Sequence, residues 1–217
     1  MRVIDLTHAL TLEIPVFPGT PAPEFGTLAD LGVHDFRESW FRLTSHMGTH
    51  CDAPAHLLPG GATLDSFSPE AWIGQGRRLD LRAVVRGNAG RIGPEHLRPL
   101  LPARCDWLLL WTGWERHWNR PDYFRGHPEL TPAAAELLAG LGITGLGLDT
   151  GSPERGDDPE LPVHRSLLRA GMLIVENLCN LSELPDSGFT FICAPLPLSS
   201  ADGAPCRCLA TIPNKIS

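Results

Sequence analysis

At 217 residues, with 42% hydrophobic and 20% charged side chains, the chain can bury a core without covalent staples, which excludes an intrinsically disordered protein. Its formal charge of −7, with Lys215 the only lysine and the arginines scattered, leaves no electrostatic footprint for nucleic acid and argues against an anionic membrane partner. Gly (22) and Pro (21) are abundant enough to favour strands and loops over a helical bundle.

In chain order, residues 2–7 read as a first strand, with Asp5 and His8 placed where a signal peptide needs its apolar centre. A turn-rich stretch, Ile14-Pro15-Val16-Phe17-Pro18-Gly19, follows it. Residues 38–45 alternate polar and apolar side chains and predict a strand that delivers the chain to His46. Ser68-Pro69-Glu70 reads as a helix start with Ser68 as cap. Residues 79–85 predict a strand, and residues 106–112 a second one whose unbroken apolar run implies burial on both faces. After a turn-like aromatic segment, Thr131-Pro132 opens a helix to about residue 141. Residues 143–148 then predict a strand, 163–170 a short helix stopped by Gly171, and 172–176 a strand. Residues 189–198 and 206–212 would be the last two strands. Strand and helix alternate from 79 to 176, which indicates an α/β class with strand-rich ends in a single domain, 1–217. No apolar run approaches the length of a bilayer span. The six cysteines lack any Cys-x-x-Cys pair and read as free thiols of a reducing compartment, with the cytoplasm as the expected location.

The chemistry concentrates in Ser45-His46-Met47-Gly48-Thr49-His50-Cys51-Asp52-Ala53-Pro54-Ala55-His56, where three of the nine histidines fall within eleven residues beside a carboxylate. Imidazole with carboxylate is a ligand set for zinc, manganese or iron(II) at a hydrolytic site. His46 and His50 could share a helix face, but Gly48 and Pro54 argue for a tight turn that returns His50 toward His46. His50 and Asp52 then project from one face of an extended segment, and Cys51 from the other, as a packing residue. His56 lies close enough to serve as general acid or base. The bland alternative is that these polar groups satisfy loop backbone atoms. Downstream, His164 opens a helix, and Glu176 ends a buried strand, where a carboxylate either ligates a metal or meets solvent.

The pattern His46-x-Gly48-Thr49-His50-x-Asp52-x-Pro54-x-His56 resembles the signature of the cyclase-like metal-dependent hydrolases, a family that includes bacterial kynurenine formamidase (arylformamidase) and isatin hydrolase. The likeness extends to Asp5-Leu6-Thr7-His8, Pro15-Val16-Phe17-Pro18-Gly19, Trp111-Thr112-Gly113-Trp114, residues 147–152, His164, Glu176-Asn177-Leu178 and Pro195-Leu196-Pro197-Leu198, in family order. The resemblance implies a mixed β-sheet flanked by helices, of swivelling β/β/α type, with subunits associating at least as dimers. It implies that His46 and His50 bind one metal, that Asp52 bridges two, that His164 binds the second and that Glu176 bridges or shares. His56 becomes the proton shuttle, and zinc the first candidate ion, with manganese an alternative, at one or two per subunit.

The activity so implied is hydrolysis of an aromatic or cyclic amide by activated water, in first place N-formylkynurenine to kynurenine and formate. Phe17 is the expected substrate contact, although it stands where formamidases resemble Pro-Val-Trp-Pro-Gly, which leaves isatin or another cyclic or linear amide as the alternative substrate. A binding-only protein that retains the site is the rival of another class, and the presence of a shuttle residue speaks against it. A closed structural zinc site would instead expect four ligands, usually with cysteines.

Overall fold

The computed structural model describes residues 1–101, 104–156 and 158–214. The strands of the first half are β1 (Arg2–Asp5), β2 (Glu24–Ala29), β3 (Glu38–Arg42), β4 (His50–Asp52), β5 (Ile73–Asp80) and β6 (Arg91–Ile92). Those of the second half are β7 (Trp107–Trp111), β8 (Glu129–Leu130), β9 (Gly145–Leu148), β10 (Leu173–Glu176), β11 (Phe189–Pro195) and β12 (Gly203–Ile212). The helices are α1 (Leu31–His34), α2 (Arg82–Gly87), α3 (Pro94–Leu97), α4 (Pro132–Ala139) and α5 (Pro162–Arg169).

Eight strands form one mixed sheet in the order β1-β12-β11-β5-β7-β9-β10-β4. Strands β5, β7, β9 and β10 run parallel, and the others pair antiparallel. The long strand β12 also pairs with β4 through Gly203↔Asp52, Ala204↔Cys51 and Pro205↔His50, which closes the sheet on itself. The mixed sheet flanked by helices that the resemblance implies is therefore present, curled into a barrel-like core.

Closure divides the apolar side chains into two sets by the alternation of the strand. In β7, Trp107, Leu109 and Trp111 point into the barrel with Val175, Phe191 and Cys51, whereas Leu108 and Leu110 point outward against α4 and α5 through Leu138, Leu167 and Leu168. Both faces are buried, which is why this segment reads as an unbroken apolar run. Helix α4 starts as expected, with the Thr131 hydroxyl accepting from the Ala134 amide at 3.2 Å.

Two expectations need correction, and a third is met over a shorter span. The strand placed at 79–85 is β5, ending at Asp80, and residues from Arg82 onward form α2. Val84 and Val85 mimic a strand, while Gly74 and Gly76 disguise the true one. A Cβ on Gly76 would overlap the Phe189 ring, and one on Gly74 would sit 2.5 Å from the Asp106 Cβ, so close packing, not flexibility, explains both glycines. Residues 69–72 form only a 3-10 turn, without a side-chain cap from Ser68. Strand β3 exists, but it pairs with β2 as an outlying hairpin and its five residues are exposed, including Trp40 and Phe41.

Gly76→Ala is expected to destabilise the fold by about 1–3 kcal/mol through overpacking. Part of that loss should return when Phe189→Leu is combined with it, as read from urea unfolding. A neutral Gly76→Ala would show that the β5–β11 contact is not tight.

Candidate metal centre

The site begins with a turn. Gly48 adopts φ +63°, and a Cβ there would lie 2.6 Å from Leu10 Cδ2. Asn177, itself left-handed at φ 59°, clamps this turn: its Nδ2 donates to Gly48 O at 2.8 Å and its backbone O accepts from the Thr49 hydroxyl at 2.6 Å. The Tyr123 hydroxyl in turn donates to Asn177 Oδ1 at 2.8 Å. The chain leaves the turn as β4, in register with β10 so that His50 faces Glu176 and Asp52 faces Ile174. Alternation then sends Cys51 into the barrel interior, fully buried, and leaves His50 and Asp52 on the opposite face with Glu176.

Helix α5 packs over that face and adds His164, whose Nε2 lies 3.3 Å from Glu176 Oε1 and 4.0 Å from Asp52 Oδ2. His50 Nε2 sits 3.3 Å from both Asp52 Oδ1 and Glu176 Oε2, and His46 Nδ1 sits 2.7 Å from Asp52 Oδ1. Each imidazole is held from behind by an acceptor. His50 Nδ1 donates to Gly48 O at 2.9 Å, His164 Nδ1 to Glu154 Oε1 at 2.9 Å, and His46 Nε2 to Asp202 Oδ2 at 2.8 Å. Such outer contacts fix which ring nitrogen faces inward. The His56 ring lies 3.9 Å from that of His46, with Nδ1 3.6 Å from Asp202 Oδ2.

The electrostatics follow from crowding opposite charges away from water. Burial alone would raise Asp52, yet His50 and His46 hold it well below the usual carboxylate range. Burial alone would lower His50 and His164, but Asp52 and Glu176 hold His50 well above its ordinary value, and Glu154 and Glu176 push His164 up to about 10. His56 differs: burial wins and lowers it, so its ring is neutral at pH 7.

Two triads of donor atoms emerge, His50/Asp52/Glu176 and His46/Asp52/His56, each with its atoms within 4.8 Å of one another. They share Asp52. Imidazole nitrogens and carboxylate oxygens at this separation fit a divalent cation of borderline hardness. Cys193, Cys206 and Cys208 also converge, with Sγ separations of 3.6 and 3.4 Å. They lie in the barrel interior among Ile4, Phe191 and Ala210, and burial pushes the Cys193 and Cys208 thiols up, so they pack as small apolar groups.

The structure thus gathers His46, His50, Asp52, His56, His164 and Glu176 into one cluster. Phe17 is 48% exposed and packs edge-on to Phe124 at 5.6 Å. The sequence marks neither Glu154 nor Asp202, and it gives Asn177 no role beyond its place in the Glu176-Asn177-Leu178 match. Glu154 precedes its partner His164 by ten residues within an irregular loop, and Asp202 follows a turn far down the chain, so no local spacing marks either.

Beside the cluster, the His8 ring stacks on Trp118 at 4.0 Å, and its backbone amide donates to the Thr49 hydroxyl. Burial lowers His8 to about 4. An unfolded chain protonates its histidine near about 6.5. Acidification from there to about 4 therefore protonates the unfolded state first and removes stability across that window. His8→Gln should lose less stability than the wild type between pH 7 and 4.5 in urea unfolding; equal losses would contradict the burial of a neutral ring. Glu154 also accepts from the Val163 and His164 amides, so Glu154→Ala leaves these donors and the His164 ring unheld. Divalent-ion affinity should fall by about 10- to 100-fold in equilibrium dialysis. Unchanged affinity would show that Glu154 serves α5 alone.

The Cyclase family model matches residues 4–155. Kynurenine formamidase of Paracidovorax citrulli is 33% identical over 217 residues, covering 96% of each chain. Among solved structures, isatin hydrolase A from Labrenzia aggregata superposes with a TM-score of 0.87 at 27% identity, over 97% of this chain and 93% of its own. A predicted metal-dependent hydrolase from Bacillus stearothermophilus gives a TM-score of 0.79 at 30% identity, over 96% of this chain and 97% of its own. The chain belongs to the Cyclase family.

Proposed function

We propose that residues 1–217 form one divalent-metal-dependent amide hydrolase domain of arylformamidase type, which converts N-formylkynurenine to kynurenine and formate. The observation that carries this reading is the pair of donor triads sharing Asp52, one of which includes the neutral imidazole of His56. Similarity to kynurenine formamidase at 33% identity across nearly the full length of both chains supports the substrate class.

In this reading His46, His50, Asp52, His164 and Glu176 hold the metal, with zinc first and manganese second among candidates. A divalent ion bound there supplies acidified water and Lewis-acid polarisation of the scissile carbonyl. The protein's own contribution is orientation and proton transfer. The His50, Asp52, His164 and Glu176 side chains are at most 6% exposed, whereas those of His46, His56 and Asp202 are 25%, 26% and 44% exposed. Substrate therefore enters from the His46/His56 side. His56, neutral and partly open, takes the proton from the attacking water and returns it to the departing aryl nitrogen as the C–N bond breaks.

Aromatic side chains line one flank. Phe17 meets Phe124, which meets Tyr123 at 5.0 Å, which meets Trp118 at 5.0 Å, and Tyr123 is tied to the site through Asn177. Phe17 is assigned to contact the substrate's ring. The outlying β2–β3 hairpin, which exposes Phe25, Leu28, Phe36, Trp40 and Phe41, is assigned to pairing with a second copy, giving a homodimer. The six cysteines are all free, as suits the cytoplasm, and among the described residues no helix is long and apolar enough to cross a membrane.

Purified protein should hydrolyse N-formylkynurenine, lose that activity on chelation and regain it with zinc or manganese. His56→Ala should lower kcat by at least about 100-fold while retaining its metal. Loss of metal in His56→Ala would make His56 a ligand, and cleavage of cyclic amides without formamidase activity would move the substrate to that class.

A further inference from the structure

We propose that the Asp202-Gly203 step at the start of β12 is a positioning element for His46, with the Asp202 carboxylate reaching on to His56. This rests on the reading of His46 as a metal ligand. His50 is fixed by strand pairing and His164 by a helix, but His46 lies in the irregular segment between β3 and β4, with its side chain 25% exposed. A ring on such a segment has orientational freedom that something must remove before its nitrogen can serve as a donor.

The Asp202-Gly203 step does so from two sides. Asp202 is itself anchored to the site strand: its backbone O accepts from the Ala53 amide at 2.9 Å, and the next residue, Gly203, stands in register with Asp52. From that anchored position Oδ2 accepts from His46 Nε2 at 2.8 Å, which commits Nε2 to carrying a proton and turns Nδ1 toward Asp52. The same oxygen lies 3.6 Å from His56 Nδ1, and so biases the facing edge of that ring as well.

Gly203 contributes by what it lacks. A Cβ at this position would stand 2.6 Å from His46 Cε1 and 2.9 Å from Cys51 O. The backbone there is not left-handed, so the requirement is space for the imidazole rather than conformational freedom. Carboxylate and gap together form a slot that accepts the His46 ring in one orientation.

Zinc affinity, measured by competition with a chromophoric chelator, separates this role from general stability, which thermal unfolding of the metal-free variants tracks in parallel. Asp202 is half-exposed, so its truncation should leave the fold intact. Asp202→Ala and Gly203→Ala are expected to weaken zinc binding by at least about 10-fold. Asp202→Asn, whose amide oxygen accepts the same N–H, should stay within about threefold of the wild type. Because the effect acts through His46, His46→Ala combined with Asp202→Ala should bind zinc no more weakly than His46→Ala alone. If His46→Ala itself leaves zinc affinity unchanged, the ligand reading fails and this inference with it. If His46→Ala weakens zinc but Asp202→Ala does not, or the two losses add in full, His46 is a ligand and the positioning role is wrong.

Discussion

The Asp52 carboxylate is 1% exposed and shares its small volume with a second buried carboxylate, Glu176. Taking an ionised carboxylate out of water costs on the order of several kcal/mol, and a like charge beside it adds to that cost. What offsets it is a shell of imidazoles, His46, His50 and His164, each presenting one nitrogen inward and each gripped by an acceptor on the outward one. In the metal-free protein this shell must carry protons, which is why His50 and His164 are held above their ordinary values. A divalent cation supplies the same compensation with more charge in less space. The cluster is thus poorly suited to a plain structural role and well suited to a cation.

The barrel-like closure is what brings these groups together. Strand β4 has three residues and would be a weak element alone, but it is paired on one side with β10 and on the other with β12. Its antiparallel neighbour β10, the last strand of the parallel half, supplies Glu176, the adjoining helix α5 supplies His164, and the β12 side supplies Asp202. The site therefore sits at the seam between the helix-covered parallel half and the antiparallel half. Inside the barrel, Cys51 and the apolar rows of β7, β10, β11 and β12 fill the space behind it. A change that loosens the seam should reach the cluster through the register of His50 with Glu176.

Much of this is legible in the sequence because the local signals are strong. Gly48 between two histidines marks the turn, alternation puts His50 and Asp52 on one face, and the apolar run ending at Glu176 places a carboxylate at the end of a buried strand. The parallel half is equally readable, from the runs of β7, β9 and β10 and from the Thr131-Pro132 start of α4. What the sequence hides depends on contacts between distant segments. Gly74 and Gly76 look like breakers because the side chains filling their space, Asp106 and Phe189, are far away in the chain. Glu154 and Asp202 look like ordinary loop acids until the fold brings them behind His164 and His46. The closure of the sheet through β12 has no local mark at all.

Asp52 belongs to both triads, and metal content by elemental analysis of protein purified without chelator or affinity-tag metal tests that shared role most directly. Wild-type protein should carry zinc or manganese, and Asp52→Asn, folded to a similar thermal midpoint, should carry almost none at any location in the cluster. Asp52→Asn with an undiminished metal content would contradict the shared-carboxylate account, as would wild-type protein that neither holds nor takes up a divalent ion.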